Sequence, residues 1–349
     1  MFERRDHITI LPGFVDLHVH FREPGFSSKE TVASGSRAAL NGGYAAVCAM
    51  PNLNPPPDTL EHLRVELDII ARSAVIPVFP VGCITMGRKG EGLLSEMERL
   101  APYVCGFSDD GAGVQDGRLM RAAMERARAC GKPILSHCED DSLMGSPASE
   151  WVPLARDLEL ARQTACHYHV CHVSTKESVE LIRKAKQGGV PVTCETAPHY
   201  LLLTEDDCED DGRFRMNPPL RGAEDREALL EGLLDGTIDC IATDHAPHTR
   251  EEKSKGFAGS ACGVVGLETA FPVLYTRLVR IGLMTLEKLV EAMSDNPRRL
   301  LESWTGNGIT GTYAWDLEKC YSIDPEKFKS RGKSTPFAGW EVYGEVHHA

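Results

Sequence analysis

The chain has 349 residues and an ordinary globular composition, with 42% hydrophobic and 26% charged residues. The formal net charge of −13 disfavours a nucleic-acid-binding surface, and no apolar run approaches the ~18 residues of a membrane-spanning helix. The first residues lead into no signal-peptide core, and the 12 cysteines form no Cys-x-x-Cys pair. We therefore expect a cytoplasmic protein with reduced cysteines.

Short β-rich runs alternate with helical stretches from residue 13 onward. Eight strands are predicted, at 13–20, 44–50, 76–85, 104–110, 133–139, 169–175, 190–198 and 239–244. Eight β-α units in a row predict an α/β fold whose parallel strands close into a TIM-type (β/α)8 barrel, with the active site at the carboxyl ends of the strands. We place the barrel domain at 12–304 and treat 1–11 and 305–349 as terminal segments.

The first predicted strand contains the stretch GFVDLHVHFREPG, at residues 13–25. Successive side chains of a strand point to opposite faces. The face that packs against helices is expected to carry Val15, Leu17, Val19 and Phe21. His18 and His20 then share the other face with Phe14 and Asp16. Because two buried imidazoles are costly in a packed core, His-x-His at a strand end favours a metal site.

Polar residues also follow predicted strands 4, 5, 6 and 8. These segments are 107–111 (FSDDG), 135–139 (LSHCE), 171–175 (CHVST) and 242–248 (ATDHAPH). Since the strand ends meet at one mouth, they predict a site with four histidines and at least two carboxylates. Such a set suits two divalent ions about 3.5–4 Å apart that share a bridging anion. Asp109 and Asp110 both qualify as the bridge, and alternation favours Asp110 because Asp109 shares the face of Phe107.

These motifs resemble the amidohydrolase superfamily, and within it the bacterial dihydroorotases whose metals are bridged by an aspartate. The similarity covers nearly all of residues 11–300 and is carried by DLHVHFREPG, AMPNLNPP, GFSDDG, SHCED, YHVCHVSTKES, MNPPLR, LLDGTIDCIATDHAPH and GLETAFP. Related cyclic-amide hydrolases have a bridging carboxylated lysine at the end of strand 4, where this chain has the Asp-Asp pair. The resemblance implies zinc-dependent, reversible hydrolysis of (S)-dihydroorotate to N-carbamoyl-L-aspartate in pyrimidine biosynthesis.

The resemblance also implies the residues that hold one or two zinc ions. The metal ligands would be His18, His20, Asp110, His137, His172 and Asp244. Asp244 would in addition be the catalytic residue that carries a proton from the attacking water to the leaving nitrogen. The alternative for Asp244 is a ligand without a catalytic role.

A second set of residues would bind the substrate. It comprises His20, Arg22, Asn52, Asn217, His248, Cys262 and Gly263. A negatively charged protein repels an anionic substrate, so the site needs a local positive charge. Arg22 provides one and can bind a carboxylate in bidentate fashion. By resemblance Asn52 and His248 would assist Arg22, while Asn217 and the backbone at 262–263 would hold the ring amides. Both asparagines adjoin prolines and are alternatively turn residues.

The chain departs from the family at its periphery. Few residues precede the first strand, the tail lacks the usual longer strand pair, and MGSPASEW stands in place of a longer loop. We therefore expect a reduced or vestigial terminal β-sandwich. SACG stands where Pro-Phe-Gly is common, and the polar segment 249–259 is either a mobile lid or a solvated loop. His167 and His169 are assigned to ordinary packing or the surface.

Two other functions remain open. One is a different cyclic-amide hydrolase of the hydantoinase or allantoinase type, which Arg22 and the Asp-Asp pair disfavour. The other is a non-catalytic homologue that serves as an assembly partner, for example of aspartate transcarbamoylase. The complete set of ligands argues against it, since a scaffold gains nothing from six costly polar groups at one point. A homodimer is also compatible with the sequence.

Overall fold

The computed structural model describes residues 2–5 and 7–347; positions 1, 6, 348 and 349 of the predicted terminal segments lie outside the described residues. Its strands are β1 Glu3–Arg5, β2 Ile8–Pro12, β3 Phe14–Val19, β4 Tyr44–Ala49, β5 Val78–Pro80, β6 Ile134–Ser136, β7 Tyr168–Val170, β8 Val192–Thr196, β9 Cys240–Ile241, β10 Thr312–Ser322 and β11 Glu341–His347. Its α-helices are α1 Val32–Asn41, α2 Leu60–Ser73, α3 Met97–Leu100, α4 Gly117–Ala129, α5 Ala148–Thr164, α6 Lys176–Gln187, α7 Pro198–Leu202, α8 Ala223–Asp235, α9 Arg250–Lys253, α10 Gly256–Gly259, α11 Ala270–Leu274, α12 Leu286–Val290 and α13 Asn296–Thr305.

The parallel strands form a closed ring. Pairing joins β3, β4 and β5 in one sheet and β6, β7, β8 and β9 in another. Phe107 bridges the two sheets by pairing with Gly82 and Ile134, and His245 closes the ring by pairing with Val19. The ring therefore has eight positions, and the predicted (β/α)8 barrel is confirmed.

The fourth predicted strand, 104–110, differs most from its prediction, because a single residue in it pairs with the neighbouring strands. The chain turns away from the sheet around Asp109. Its buried carboxylate accepts hydrogen bonds from the backbone N–H groups of Ile84, Thr85 and Gly90 at 2.9–3.1 Å. A carboxylate satisfied in this way stabilises a loop at the barrel mouth in place of a regular strand.

The two faces of β3 do not follow a simple alternation. Val15 and Leu17 belong to a buried cluster that also contains Cys48, Cys105, Leu135, Cys171 and Cys240. Because these residues come from strands around the ring, the cluster lies inside the barrel. Val19 and Phe21 belong instead to the main core. The pairing of β3 with β4 is irregular between Asp16 and Val19, and such a bulge redirects side chains. The prediction of one shared face is therefore wrong for Val15 and Leu17.

The chain termini contribute a four-stranded antiparallel sheet in the order β1-β2-β10-β11. Trp315 of β10 packs it onto the barrel, with its ring centroid 4.3 Å from that of Phe271 and 5.6 Å from that of Phe14. This small β domain beside the barrel agrees with the predicted fold class. The division of the chain at 12–304 stays a proposal.

Within the described residues, none of the helices combines the length and the hydropathy that crossing a bilayer requires. All 12 cysteines are unpaired, and eight of them are buried. Buried thiols of this kind pack as small apolar side chains.

Candidate active site

A cavity of about 230 Å³ lies at the carboxyl ends of the barrel strands. Its lining is His20, Arg22, Asn52, Asp110, Gly111, His137, His172, Asn217, Asp244, Ala246, His248, Cys262 and Gly263. All seven predicted substrate-binding residues line this cavity. All predicted metal ligands line it as well, except His18, which is fully buried. A larger cavity of about 820 Å³ adjoins the terminal sheet, but no predicted site residue lines it.

His18 and His20 direct their Nε2 atoms toward the same two carboxylates. His18 Nε2 lies 3.4 Å from Asp110 Oδ1 and 3.6 Å from Asp244 Oδ1. His20 Nε2 lies 3.6 Å from Asp110 Oδ2 and 3.1 Å from Asp244 Oδ1. The two imidazoles therefore converge on one point, as the His-x-His spacing predicts.

Asp110 lies at the centre of the cluster. Its Oδ1 is 3.5 Å from His172 Nε2 and 3.7 Å from His137 Nδ1, in addition to the contacts already described. A carboxylate that faces all four histidines has the position that a bridging ligand requires. Asp109 is engaged in the loop contacts described above, so the geometry agrees with the choice of Asp110.

His137 uses both ring nitrogens in contacts with neighbouring side chains. Its Nδ1 lies 3.0 Å from His172 Nε2, and its Nε2 lies 3.1 Å from Glu139 Oε2. Glu139 also accepts a hydrogen bond from Asn217 Nδ2 at 3.2 Å. One of the two contacts of His137 must therefore open before this ring can bind a metal.

Burial and charge have opposing effects on the ionisation of the cluster. Burial lowers the pKa of His18, but Asp110 raises it well above the ordinary value. Burial and Arg22 lower the pKa of His20 to about 4. Burial raises the pKa of both Asp110 and Asp244, but His18 and His20 hold both values below the ordinary range. Both carboxylates are therefore ionised at neutral pH, while the His20 ring is neutral.

The donor set fits a bound divalent cation. His18 Nε2, His20 Nδ1 and Asp110 Oδ1 are buried and have no hydrogen-bond partner among the described residues. The ligand atoms lie within 4.8 Å of one another in the group of His18, His20 and Asp244 and in the group of His18, Asp110 and His172. Imidazole nitrogens and carboxylate oxygens are metal ligands, and buried polar atoms are costly when they bind nothing.

Backbone strain is concentrated around this cluster. Five non-glycine residues among those described have a positive φ: Arg22 (60°), Arg88 (55°), Ala165 (53°), His172 (35°) and Asp244 (47°). Three of them line the cavity, and Arg88 donates a hydrogen bond to the backbone carbonyl of Asp110. Such conformations cost on the order of 1–3 kcal/mol each and persist where the surrounding structure imposes them. The mouth thus positions its side chains at the expense of local stability.

Arg22 and His248 lie together at the rim. Arg22 Nε donates to the Pro247 carbonyl at 3.3 Å, and its Nη2 is 3.5 Å from His248 Nε2. His248 Nε2 donates to the Cys262 carbonyl at 2.7 Å, and its Nδ1 accepts from Lys29 Nζ at 3.4 Å. Burial, Arg22 and Lys29 lower the pKa of His248 to about 4, so the ring is neutral. Lys29 is paired with Glu252 Oε1 at 2.7 Å, so the cation that lines the cavity and faces an anionic ligand is Arg22.

Asn52 and Asn217 both direct their side chains into the cavity, so neither is only a turn residue. Asn52 Nδ2 donates to the Asp110 carbonyl at 3.0 Å, and its Oδ1 is buried without a partner among the described residues. Asn217 Nδ2 donates to the neighbouring carboxylate of Glu139. The Gly263 N–H, by contrast, already donates to a backbone carbonyl at 2.9 Å, so it is not free for a ring amide in this conformation.

The segment 249–259 contains α9 and α10 and is fixed to the wall of the cavity. Lys253 Nζ donates to the backbone carbonyls of Arg215, Ala261 and Gly263 at 2.7–3.0 Å. Three carbonyl acceptors satisfy all three donors of the ammonium group. In this structure the segment is an ordered part of the rim, and lid movement stays a prediction.

Two acidic residues that contact the site, Glu195 and Glu139, were not predicted from the sequence. Glu195 contacts His18 Nδ1 at 2.9 Å and His169 Nε2 at 3.1 Å, and Glu139 contacts His137 as described. His169 is buried, in agreement with its assignment to packing, and it also contacts the carboxylate that contacts His18. A signal was present, because a carboxylate inside an apolar strand such as β8 is almost never buried unless it is paired.

An α/β barrel with clustered histidines and aspartates at its mouth defines a metal-dependent hydrolase of the amidohydrolase type. A family model described as Dihydro-orotase-like matches residues 8–156. The chain is 49% identical to a dihydroorotase of Staphylococcus epidermidis and 47% identical to one of Anoxybacillus flavithermus, each over 96% of this chain and 84% of the relative. The chain belongs to the dihydroorotase family.

Solved structures support the fold independently. The L-hydantoinase (dihydropyrimidinase) of Arthrobacter aurescens is 26% identical with a TM-score of 0.86, covering 97% of this chain and 82% of that protein. The inactive dihydroorotase-like domain of a CAD-like multifunctional protein from Chaetomium thermophilum is 22% identical with a TM-score of 0.73, covering 98% of this chain and 92% of that chain.

Proposed function

We propose that the protein catalyses the reversible hydrolysis of (S)-dihydroorotate to N-carbamoyl-L-aspartate in pyrimidine biosynthesis. The observation that carries the proposal is the presence of the histidine–aspartate cluster and Arg22 in one cavity. The cluster suits the hydrolysis of an amide, and the guanidinium suits a ring that bears a carboxylate. The relatives named dihydroorotase support the same substrate.

The metal is proposed to be zinc, with one or two ions per chain. The proposed ligands are His18, His20, Asp110, His137, His172 and Asp244. Bound zinc would polarise the scissile carbonyl and lower the pKa of a water molecule toward neutrality. The mixture of imidazole and carboxylate donors supports this choice of metal.

Asp244 is the proposed proton carrier. Its carboxylate is ionised at neutral pH, lines the cavity and lies 3.1 Å from His20 Nε2. It accepts the proton of the attacking water and donates it to the ring nitrogen as the C–N bond breaks, so that this nitrogen departs as the neutral NH2 of the ureido group. In ring closure the same carboxylate takes that proton back.

Arg22 is proposed to bind the carboxylate of the substrate, assisted by Asn52 and His248. The guanidinium can form two parallel hydrogen bonds, and the Asn52 side chain lines the same cavity. Asn217 and the backbone at 262–263 would hold the ring amides. That contact requires the Gly263 N–H to leave its present carbonyl acceptor.

The test compares four substrates with the metal-loaded protein: dihydroorotate, dihydrouracil, hydantoin and allantoin. Ring opening of dihydroorotate releases a proton, so opening is measured at alkaline pH and closure at acid pH. We expect turnover of dihydroorotate in both directions and little of the neutral rings. Faster hydrolysis of hydantoin would favour the function of the solved hydantoinase neighbours. Full metal content without any turnover would favour a non-catalytic homologue, as in the inactive domain with the same fold.

Assembly and location are further parts of the proposal. We propose that the protein is cytoplasmic, forms a homodimer and associates with aspartate transcarbamoylase. The last part follows from the proposed role in pyrimidine biosynthesis, the pathway in which aspartate transcarbamoylase also acts. Light scattering of the protein alone and mixed with aspartate transcarbamoylase measures both associations. A monomeric mass at micromolar concentration in both samples would contradict them.

A further inference from the structure

A continuous chain of polar contacts runs through the barrel interior beneath the proposed metal site. In order, the contacts are His18 Nδ1 with Glu195 Oε1 (2.9 Å), Glu195 Oε2 with His169 Nε2 (3.1 Å), His169 Nδ1 with Thr193 Oγ1 (2.8 Å), Thr193 Oγ1 with His167 Nε2 (2.9 Å) and His167 Nδ1 with Trp304 Nε1 (3.2 Å). His169 pairs with Thr193 in the register of β7 and β8. The chain therefore follows alternate residues of two adjacent strands from the mouth to the opposite end of the barrel.

The direction of these hydrogen bonds is set at the end that is farthest from the site. An indole N–H can only donate, so Trp304 donates to His167 Nδ1. Burial and His169 lower the pKa of His167 to about 4, so this ring is neutral and its single proton lies on Nε2. That proton is donated to Thr193, whose own hydroxyl proton is then available for His169 Nδ1.

Near the metal site, this chain of contacts reaches the carboxylate of Glu195, which accepts one hydrogen bond from His169 and one from His18. With Nδ1 accepting from Thr193, His169 donates from Nε2 to Glu195. An ionised carboxylate is an acceptor only, so His18 must donate its Nδ1 proton to the second oxygen of Glu195. The remaining nitrogen, His18 Nε2, then faces Asp110 and Asp244 at 3.4 and 3.6 Å.

We propose that Glu195 is a positioning residue whose hydrogen-bonded chain to Trp304 fixes the tautomer of His18, so that Nε2 is presented to the metal. The inference rests on the metal site of the proposed function and does not depend on the substrate. Carboxylates that accept from a metal-bound imidazole fix the ring and raise its basicity, and their loss typically lowers metal affinity about 10- to 100-fold. Here the carboxylate is itself oriented by a second histidine.

The variant Glu195→Gln tests the role of the carboxylate. His18 and His169 contact different oxygens of Glu195, and a glutamine has an acceptor at only one of these two positions and a donor N–H at the other. We expect the zinc affinity of the metal-stripped protein to fall about 10- to 100-fold, measured by competition with a chromophoric chelator. Wild-type zinc affinity in a folded Glu195→Gln protein would overturn the proposal.

Glu66→Gln is the matched control. Glu66 is 2% exposed and lies in α2, outside the chain of contacts. Burial raises its pKa well above the ordinary value, so a neutral amide replaces a neutral carboxyl group of nearly the same shape. Its zinc affinity should equal that of the wild type. An equal loss in both variants would show a general effect of changing a buried acid, and would overturn the specific role of Glu195.

Nitrogen-15 NMR of histidine-labelled protein tests the direction of the chain without any variant. In the zinc-loaded wild type we expect a proton on Nδ1 of His18 and on Nε2 of both His167 and His169. A proton on His169 Nδ1, or none on His18 Nδ1, would overturn the proposal even if Glu195→Gln fails to fold. If the wild type binds no zinc, the proposed function fails, while the protons of His167 and His169 still report on the chain.

Trp304→Phe tests the distal end. Phenylalanine keeps the ring contact but removes the one donor to His167 Nδ1 that the described residues provide. We expect His167 to become a mixture of both tautomers in the same spectrum. A His167 ring that stays protonated on Nε2 alone would show that Trp304 does not set the direction.

Discussion

The mouth of the barrel and the four-stranded terminal sheet bury opposite kinds of side chain. The mouth buries four histidines and two aspartates that are each at most 7% exposed, and it holds strained backbone. The terminal sheet buries Trp315, Leu317 and Val342 and leaves most polar residues of its long strand β10 at the surface. The mouth therefore costs folding free energy, while the terminal sheet contributes it through apolar burial.

This difference separates activity from stability. Changes at the mouth should reduce turnover or metal binding far more than they reduce the free energy of unfolding. Changes in the terminal sheet should do the reverse. Variants in the two regions therefore test whether activity and stability depend on different parts of the molecule.

Removal of the metal should have the largest effect on activity. Exhaustive chelation is expected to abolish hydrolysis of dihydroorotate, and added zinc is expected to restore it, because a bound metal lowers the pKa of the attacking water toward neutrality. The melting temperature should fall as well, since a ligand that binds only the folded state stabilises it. Elemental analysis and an activity assay on the same samples measure both. Activity that survives in metal-free samples would sink the mechanism.

Asp244→Asn should have the next largest effect. The amide keeps the shape of the side chain but cannot accept a proton, and loss of a general base typically costs about 10²–10⁴-fold in kcat. Asp316→Asn in the terminal sheet is the matched control: its Oδ1 accepts from the backbone N–H groups of Glu318 and Lys319 at 3.0 Å, far from the proposed chemistry. The control should keep its kcat. Near-normal turnover in fully metallated Asp244→Asn would place the base elsewhere.

Arg22→Met should have a smaller and more selective effect. Dihydroorotate is dihydrouracil with an added carboxylate, so the two share the scissile amide. Loss of a charge-assisted contact worth about 1.5–3 kcal/mol should lower kcat/KM for dihydroorotate roughly 10- to 150-fold. Lysine should rescue it partly, because it keeps the charge without the planar fork. Dihydrouracil hydrolysis should barely change. Equal losses on both substrates would instead show that Arg22 has a structural role in the strained segment that follows β3.

Reasoning from sequence located the mouth well because its signals are local. His-x-His at a strand end, and polar residues after several other strands, are read from adjacent positions, and the cavity indeed contains those residues. The choice of Asp110 over Asp109 rested on strand alternation, whereas in the structure the loop contacts of Asp109 are what separate the two side chains. Their roles as ligands stay predictions, since the geometry alone does not test them.

What sequence could not provide depends on tertiary context. The irregular pairing of β3 with β4 between Asp16 and Val19 changes the alternation, so that Val15 and Leu17 lie in the cluster inside the barrel while Val19 lies in the main core. A carboxylate in the apolar strand β8 indicates a pair, but the partners of Glu195, His18 and His169, could not be identified from sequence because they are distant along the chain. The terminal sheet pairs 8–12 with 312–316, and no local pattern specifies a register between segments so far apart.

Trp315→Ala should have the smallest effect on activity and a large one on stability. Trp315 is 2% exposed and packs against Phe14, Phe271 and Gly43, where an added Cβ would come within 2.5 Å of the indole. Its loss leaves a cavity between the sheet and the barrel, at a cost of about 3–5 kcal/mol. Trp315→Phe should cost less, because the indole Nε1 has no hydrogen-bond partner among the described residues. Urea unfolding measures the cost, and kcat/KM of the zinc-loaded, folded variants should match the wild type. If kcat/KM instead fell in step with stability across the two variants, the terminal sheet would be coupled to the mouth, and the separation of the two regions would be wrong.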